Sequence, residues 1–203
     1  MNKYPVHKIS RLRMGSDGKG IRTLVLMHGC NLRCKYCINP QTTDEEFEQH
    51  LLTPEELYSR ICIDRPYLIA TSGGITFGGG EPLLYPGMIN AIRKICDPDM
   101  TIYVETSLHV PWNNIEESVK AVDGYYVDIK VLNPGLYKRY TGKELSLSLE
   151  NLKRLLSITG PEKIIVRIPE INGMVDKTMQ MEEKNQLKEM GVTRFDLFKY
   201  IIN

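Results

Sequence analysis

No stretch of this 203-residue chain approaches the roughly 18 to 20 consecutive apolar residues that a membrane span requires, so no membrane role is expected. The opening MNKYPVHKISRLRMG is basic but lacks the apolar centre and small-residue cleavage site of a secretory signal, and a cytoplasmic protein is therefore expected. Acidic residues are scarce at the start. Residues 1–40 hold eight Lys or Arg against the single acid Asp17, while Asp44, Glu45, Glu46, Glu48, Glu55 and Glu56 follow soon after. Two readings fit that asymmetry: a solvated basic face, or a docking surface for an acidic electron carrier, since complementary charge speeds encounter. A net charge of only +1 gives no global pull toward nucleic acid, and none is expected as a partner. Repeats, low-complexity tracts and linkers are also missing, so residues 1–203 are expected to form one domain. Nor is the cysteine count even: of five, three fall within residues 30–37, which argues against a disulfide framework and for metal in a reducing compartment. Cys62 and Cys96 each sit in an apolar helical pattern and read as small buried hydrophobes.

What is present is an alternation of short β-branched or apolar runs with helical patterns. Strands are predicted at 23–27, 74–77, 101–105, 124–129, 163–168 and 194–198, and helices near 54–63, 86–96, 112–121, 148–158 and 177–190. Thr53, Pro54 and Glu56 spell a capped helix start. Such alternation implies a parallel sheet with helices outside. The unusual residues fall after successive strands: the cysteines, then GGGEP, Glu105-Thr106, Asp128 to Lys130, and Arg167. An open doubly wound sheet concentrates its site at one switch point, whereas a barrel gathers all its strand ends around one site. Six strands are too few to close the usual eight-stranded form, so an incomplete, open parallel β/α barrel of about six strands is expected.

HGCNLRCKYC contains Cys30, Cys34 and Cys37 in a C-x3-C-x2-C array. Three closely spaced thiolates can each bind one iron of a 4Fe-4S cluster and leave the fourth iron open to a ligand. The competing reading is zinc, with His28 or a distant residue as fourth ligand, although structural zinc sites favour two separated cysteine pairs. Gly78-Gly79-Gly80-Glu81-Pro82 reads in isolation as a glycine-rich turn. After a strand end, the same residues let backbone approach a ligand closely and supply an acid to accept from an ammonium.

The cysteine spacing, with Tyr36 just before the last cysteine, resembles the signature of the radical S-adenosylmethionine (SAM) superfamily, and GGGEP resembles its GGE element. The resemblance implies that SAM chelates the open iron through its amino and carboxylate groups. The reduced cluster would then split SAM into methionine and a 5'-deoxyadenosyl radical. Asp17-Gly18-Lys19-Gly20-Ile21-Arg22 resembles the D-G-x-G-x-R element of the glycyl-radical-enzyme activating enzymes. Asp128-Ile129-Lys130, Asn133-Pro134, Thr141-Gly142, Arg167-Ile168-Pro169, Gly173 and Asp176 continue in that family's order. By this resemblance Asp17 engages a glycine loop on the partner. Tyr36, Ile38, Gly78, Gly79, Gly80, Glu81, Asp128, Lys130 and Arg167 line the SAM site, with Lys130 and Arg167 complementing carboxylate charge. The partners implied are a glycyl radical enzyme as protein substrate and a flavodoxin or ferredoxin as electron donor. Oxygen would destroy the cluster, so anaerobic chemistry is implied.

Three departures accompany the resemblance. The family's Asp-Thr pair beside a monovalent cation is Glu105-Thr106 here, which with Asp128 would set the ion differently. Ile201 stands where the family places a histidine that contacts SAM, and the chain ends two residues later, either a natural short form or a truncated one. The absence of cysteine between Cys37 and Cys62 excludes an inserted ferredoxin-like domain. Two rivals remain: a radical SAM enzyme acting on a small molecule, for which 7-carboxy-7-deazaguanine synthase is the nearest pattern, and a non-catalytic metal-binding or scaffolding protein.

Overall fold

The apolar runs become strands because β-branched and aromatic side chains pack well on a pleated surface, with alternate residues turned into the core, as in β5 (Thr101–Thr106) and β7 (Ile164–Ile171). The computed structural model describes residues 2–43 and 49–200; Asp44, Glu45, Glu46, Glu48 and Ile201, singled out above, lie outside them. The chain divides into two compact units, Met1–Cys30, Asn39–Glu105 and Pro111–Gly124 in the first, and Asn31–Ile38, Thr106–Val110 and Tyr125–Asn203 in the second.

In the first unit, strands β1 (Tyr4–Met14), β2 (Ile21–Met27), β3 (His50–Leu52), β4 (Gly74–Gly79) and β5 (Thr101–Thr106) lie in the order β3-β1-β2-β4-β5. The pairs β2·β4 and β4·β5 are parallel, whereas β1 runs antiparallel to both β2 and β3. Helices α1 (Pro54–Ile61), α2 (Arg65–Ala70), α3 (Pro86–Ile95) and α4 (Trp112–Ser118) connect them. The capping box forms as read: Thr53 Oγ1 accepts from Glu56 N–H at 3.2 Å, and Glu56 Oε2 accepts from Thr53 N–H at 2.8 Å. Ile75, Phe77, Ile102 and Val104 are fully buried.

In the second unit, β6 (Gly124–Asp128), β7 (Ile164–Ile171) and β8 (Arg194–Tyr200) pair in parallel, with α5 (Pro134–Thr141), α6 (Ser146–Thr159) and α7 (Lys177–Glu189). Asn133 caps α5 through Leu136 N–H at 3.0 Å, and Gly142, at φ 76°, stops it. Val127, Val166 and Ile168 are fully buried.

Three parallel strands in the first unit (β2, β4, β5) and three in the second (β6, β7, β8) make up the number expected, and β3 and β8 are edge strands, so the sheet is open. The antiparallel pair β1 and β3 is additional to the prediction, as are α2 and α5. Cys96 is buried as expected, but Cys62 is only half-buried, because it closes the solvent-facing end of α1. No helix among the described residues is long and apolar enough to cross a membrane.

Candidate functional site

The Asp17–Arg22 element is built around a buried guanidinium. Arg22 is fully buried, and its fork donates to Thr76 Oγ1 at 2.6 Å, Ile75 O at 2.6 Å, Thr101 Oγ1 at 2.9 Å, Thr101 O at 3.0 Å and Lys19 O at 3.2 Å. Its Cζ also stacks 4.2 Å from the centre of the Tyr103 ring. Gly18, at φ 133°, passes over this stack so closely that a Cβ would come within 2.7 Å of Arg22 Cδ. Thr76 hands the network on, donating to Asp17 O at 2.7 Å. The Asp17 carboxylate is buried and accepts from Arg13 Nε at 2.6 Å. Both conspicuous charges of the motif thus have partners within the fold. The sequence carried a signal for Arg22, a lone arginine opening the apolar run TLVLM, but gave no hint of its acceptors.

The Gly78–Glu81 segment is tied to the backbone that leads into the cysteines. Gly80 N–H donates to Met27 O at 3.0 Å, and Glu81 N–H donates to Gly29 O at 2.8 Å. The approach is so close that a Cβ on Gly80 would sit 2.1 Å from Gly29 O. Glu81 is buried and accepts from Leu83 N–H at 3.2 Å, capping the turn that follows. Glu105 extends from β5 with its carboxylate against Gly78. Cys30 belongs to this unit and is half-buried. Beside it, the buried His28 has no hydrogen-bond partner at Nδ1.

In the second unit, parallel register sets Asp128 of β6 opposite Arg167 of β7. Asp128 accepts from Arg167 Nε at 2.6 Å and from Lys130 Nζ at 2.9 Å, so one carboxylate orients two cations. Burial works against its charge, but Arg167 and Lys130 outweigh burial and hold the carboxyl at about 2. Burial likewise opposes the Lys130 charge; Asp128, helped by Cys34, raises its pKa above the ordinary value nonetheless. Burial pushes the half-buried Cys34 thiol up, and the Lys130 cation opposes that rise. The cysteine loop is strapped to the end of α5: Arg33 N–H donates to Thr141 O at 2.9 Å and Lys35 N–H donates to Tyr140 O at 3.0 Å. Glu183 of α7 was not foreseen. Its Oε1 accepts from Leu132 N–H at 2.7 Å, fixing the turn that carries Lys130, and burial raises its carboxyl to about 6.

The expected residues are thus brought together in groups: Cys34, Asp128, Lys130 and Arg167 in one unit, and Asp17 and Gly78 to Glu81 in the other. Tyr36 and Cys37 join the first group, whereas the Ile38 side chain is 74% exposed. Thr106 uses its hydroxyl to accept from Leu108 N–H at 2.9 Å. Among the described residues, no three His, Cys, Asp or Glu side chains converge as they would on a single metal ion. Three cysteines spaced C-x3-C-x2-C along the chain, the middle one with a lysine cation beside it, suit a multi-iron cluster with one ligand per iron better than one tetrahedral zinc.

The profile of the Radical SAM superfamily matches residues 24–182. Over 68% of its length the chain is 38% identical to the pyruvate formate-lyase-activating enzyme of Clostridium pasteurianum, a match spanning 57% of that enzyme. It is 27% identical to the indoleacetate decarboxylase activating enzyme of Tractidigestivibacter scatoligenes, over 79% of this chain and 71% of the relative. A third relative, the (2S)-3-sulfopropanediol dehydratase activating enzyme of Klebsiella oxytoca, is 26% identical over 94% of this chain and 80% of its own. Among solved structures, Streptococcus suis SuiB bound to S-adenosylmethionine shares the fold, with a TM-score of 0.63 and 16% identity over 86% of this chain and 39% of that one.

Proposed function

The chain belongs to the radical SAM superfamily, and on that footing we propose that it is an activating enzyme that abstracts a hydrogen from a glycine α carbon of a partner glycyl radical enzyme. The observation that carries this reading is the nature of the relatives, each named as the activating enzyme of a different partner. Residues 1–203 act as one radical SAM domain in the cytoplasm. Cys30, Cys34 and Cys37 hold the 4Fe-4S cluster, which when bound and reduced supplies the electron for cleaving SAM. Lys130 and Arg167, aimed by Asp128, present cations to the SAM carboxylate. The backbone of Gly78 to Gly80 and of Ile38, and the Tyr36 ring, would help to hold the cofactor. Glu81 keeps the glycine turn in shape, Asp17 shapes the edge that meets the glycine loop, and Glu105, Thr106 and Asp128 hold a monovalent cation.

The test is anaerobic. Reconstituted protein, SAM, a strong reductant and a co-encoded glycyl radical enzyme are expected to give stoichiometric 5'-deoxyadenosine and a glycyl radical signal by electron paramagnetic resonance. Product with no glycyl radical on any such partner would move the assignment to a small-molecule substrate. A colourless protein giving neither would identify a non-catalytic metal protein.

The electron donor in this reading is an acidic flavodoxin or ferredoxin. A cavity of about 330 Å³ lined by Lys8, Ile9, Arg11, His50, Arg60 and Ile63 offers it an apolar floor with a basic rim. Its wall, β1, is bonded to the strand entering the cysteine loop: Val6 registers with Met27, and His28 N–H donates to Pro5 O at 3.0 Å. The double reversal Lys8→Glu and Arg60→Glu is expected to slow carrier-driven turnover by roughly tenfold or more at low salt while leaving dithionite-driven turnover unchanged. Normal carrier kinetics with a reduced glycyl radical yield would instead assign the groove to the glycyl radical enzyme.

A further inference from the structure

Strand β8 reaches back to the cysteine loop. Tyr200, its last residue and register partner of Ile171 in β7, donates its hydroxyl to the carbonyl of Tyr36, 164 positions earlier in the chain. That carbonyl belongs to the residue immediately before Cys37. The Tyr36 ring lies 6.0 Å from the Tyr140 ring, and the Lys35 N–H is bonded to Tyr140 O. The loop is therefore held by the end of α5 at Arg33 and Lys35 and by one phenol at Tyr36. Tyr200 is itself seated, packed against a core of Val131, Tyr137, Tyr140, Ile171 and Val175 and 6.2 Å from the Phe198 ring. A phenol fixed by its own packing holds a carbonyl at little entropic cost, because its rotamer is already chosen.

We infer that Tyr200 is a positioning residue: its hydroxyl clamps the Tyr36 carbonyl and so sets the reach and protection of the Cys37 sulfur. The inference deepens the cluster assignment above, but its first test does not depend on it. Phenylalanine at position 200 keeps the packing and removes only the clamp. In the cluster-free protein, Tyr200→Phe is expected to raise the rate at which iodoacetamide alkylates Cys37, followed by peptide mass spectrometry, about fivefold, the scale of one lost hydrogen bond. Cys62, which lies in the first unit, serves as the internal reference and keeps its rate. In the reconstituted protein the same variant is expected to lose iron to a chelator faster by a similar factor, with an unfolding midpoint within about 4 °C of the parent.

An unaltered Cys37 rate in Tyr200→Phe overturns the clamp. So does an equal acceleration in Phe198→Leu, which loosens β8 while leaving the phenol in place, since the effect would then be one of strand packing. A parent protein that takes up no cluster would instead defeat the cluster assignment, and the alkylation result would still decide the clamp.

Discussion

Cys34→Ala will reduce 5'-deoxyadenosine formation by more than about a hundredfold on the proposed cluster assignment, since removing a direct ligand would cost more than the 10- to 100-fold typical of outer-shell changes. Cys34 is the middle arm of the array, and its neighbours on both sides are bonded to the end of α5, so the sulfur cannot be replaced by a shift of the loop. The thiol must be deprotonated to bind iron. Burial opposes that, and the Lys130 cation eases it, so a thiolate here is more stable than burial alone would permit. Alanine removes the ligand at a half-buried position, where the cost to the fold is small. Iron content and the brown colour should fall together with product, while Cys62→Ala leaves all three unchanged. A variant that keeps its colour and makes product within twofold of the parent would sink the cluster assignment. A colourless parent holding one zinc would favour the alternative metal.

How far the sequence could be read depended on whether a residue's role is local. Five of the six parallel strands were legible because each is a β-branched or apolar run with at least one buried face, a pattern that survives in one dimension; β8, exposed to half-buried along its length, showed only through Phe195, Leu197 and Phe198. The start of α1 was legible because its capping box spans four consecutive residues. Strand β1 was not: YPVHKISRLRM carries Pro5, His7, the three cations Lys8, Arg11 and Arg13, and two register shifts, the marks of a strand near the rim of a sheet, where only Tyr4 to Val6 pair with β3, rather than of a core strand. Helix α5 announced itself through Asn133-Pro134 and Gly142, which were noticed only as family landmarks and not as a cap and a stop. In the site, the motif residues were visible but their partners were not. That Asp128, beside its chain neighbour Lys130, also aims Arg167 follows from the register of β6 on β7. That Tyr200 meets Tyr36 follows from a strand placed 164 residues away. Neither relation has a local signature.

Arg22→Met is expected to lower the unfolding free energy by about 3 to 5 kcal/mol, the range for removing one member of a buried charged network. The loss comes less from the missing cation than from what it leaves behind. Ile75 O and Thr101 O would lose donors at 2.6 and 3.0 Å in a buried setting, and Thr76 Oγ1, which relays to Asp17 O, would lose its own. For a chain of this length, each kcal/mol shifts the melting temperature by about 2 to 4 °C, so a drop of roughly 6 to 20 °C should appear in a thermal scan. Arg22→Lys should recover only part of it, because an ammonium offers three donors without the planar fork that spans Thr76, Ile75 and Thr101. A melting temperature within about 2 °C of the parent would mean that the network contributes little to the stability of the fold. The outcome also bears on Asp17. If the turn depends on Arg22, then Asp17, buried and paired with Arg13, presents to a glycine loop a shaped backbone edge rather than a free carboxylate. Asp17→Asn, which keeps an acceptor for Arg13, would then leave the melting temperature nearly unchanged, and any loss of glycyl radical yield in that variant would report on the partner contact alone.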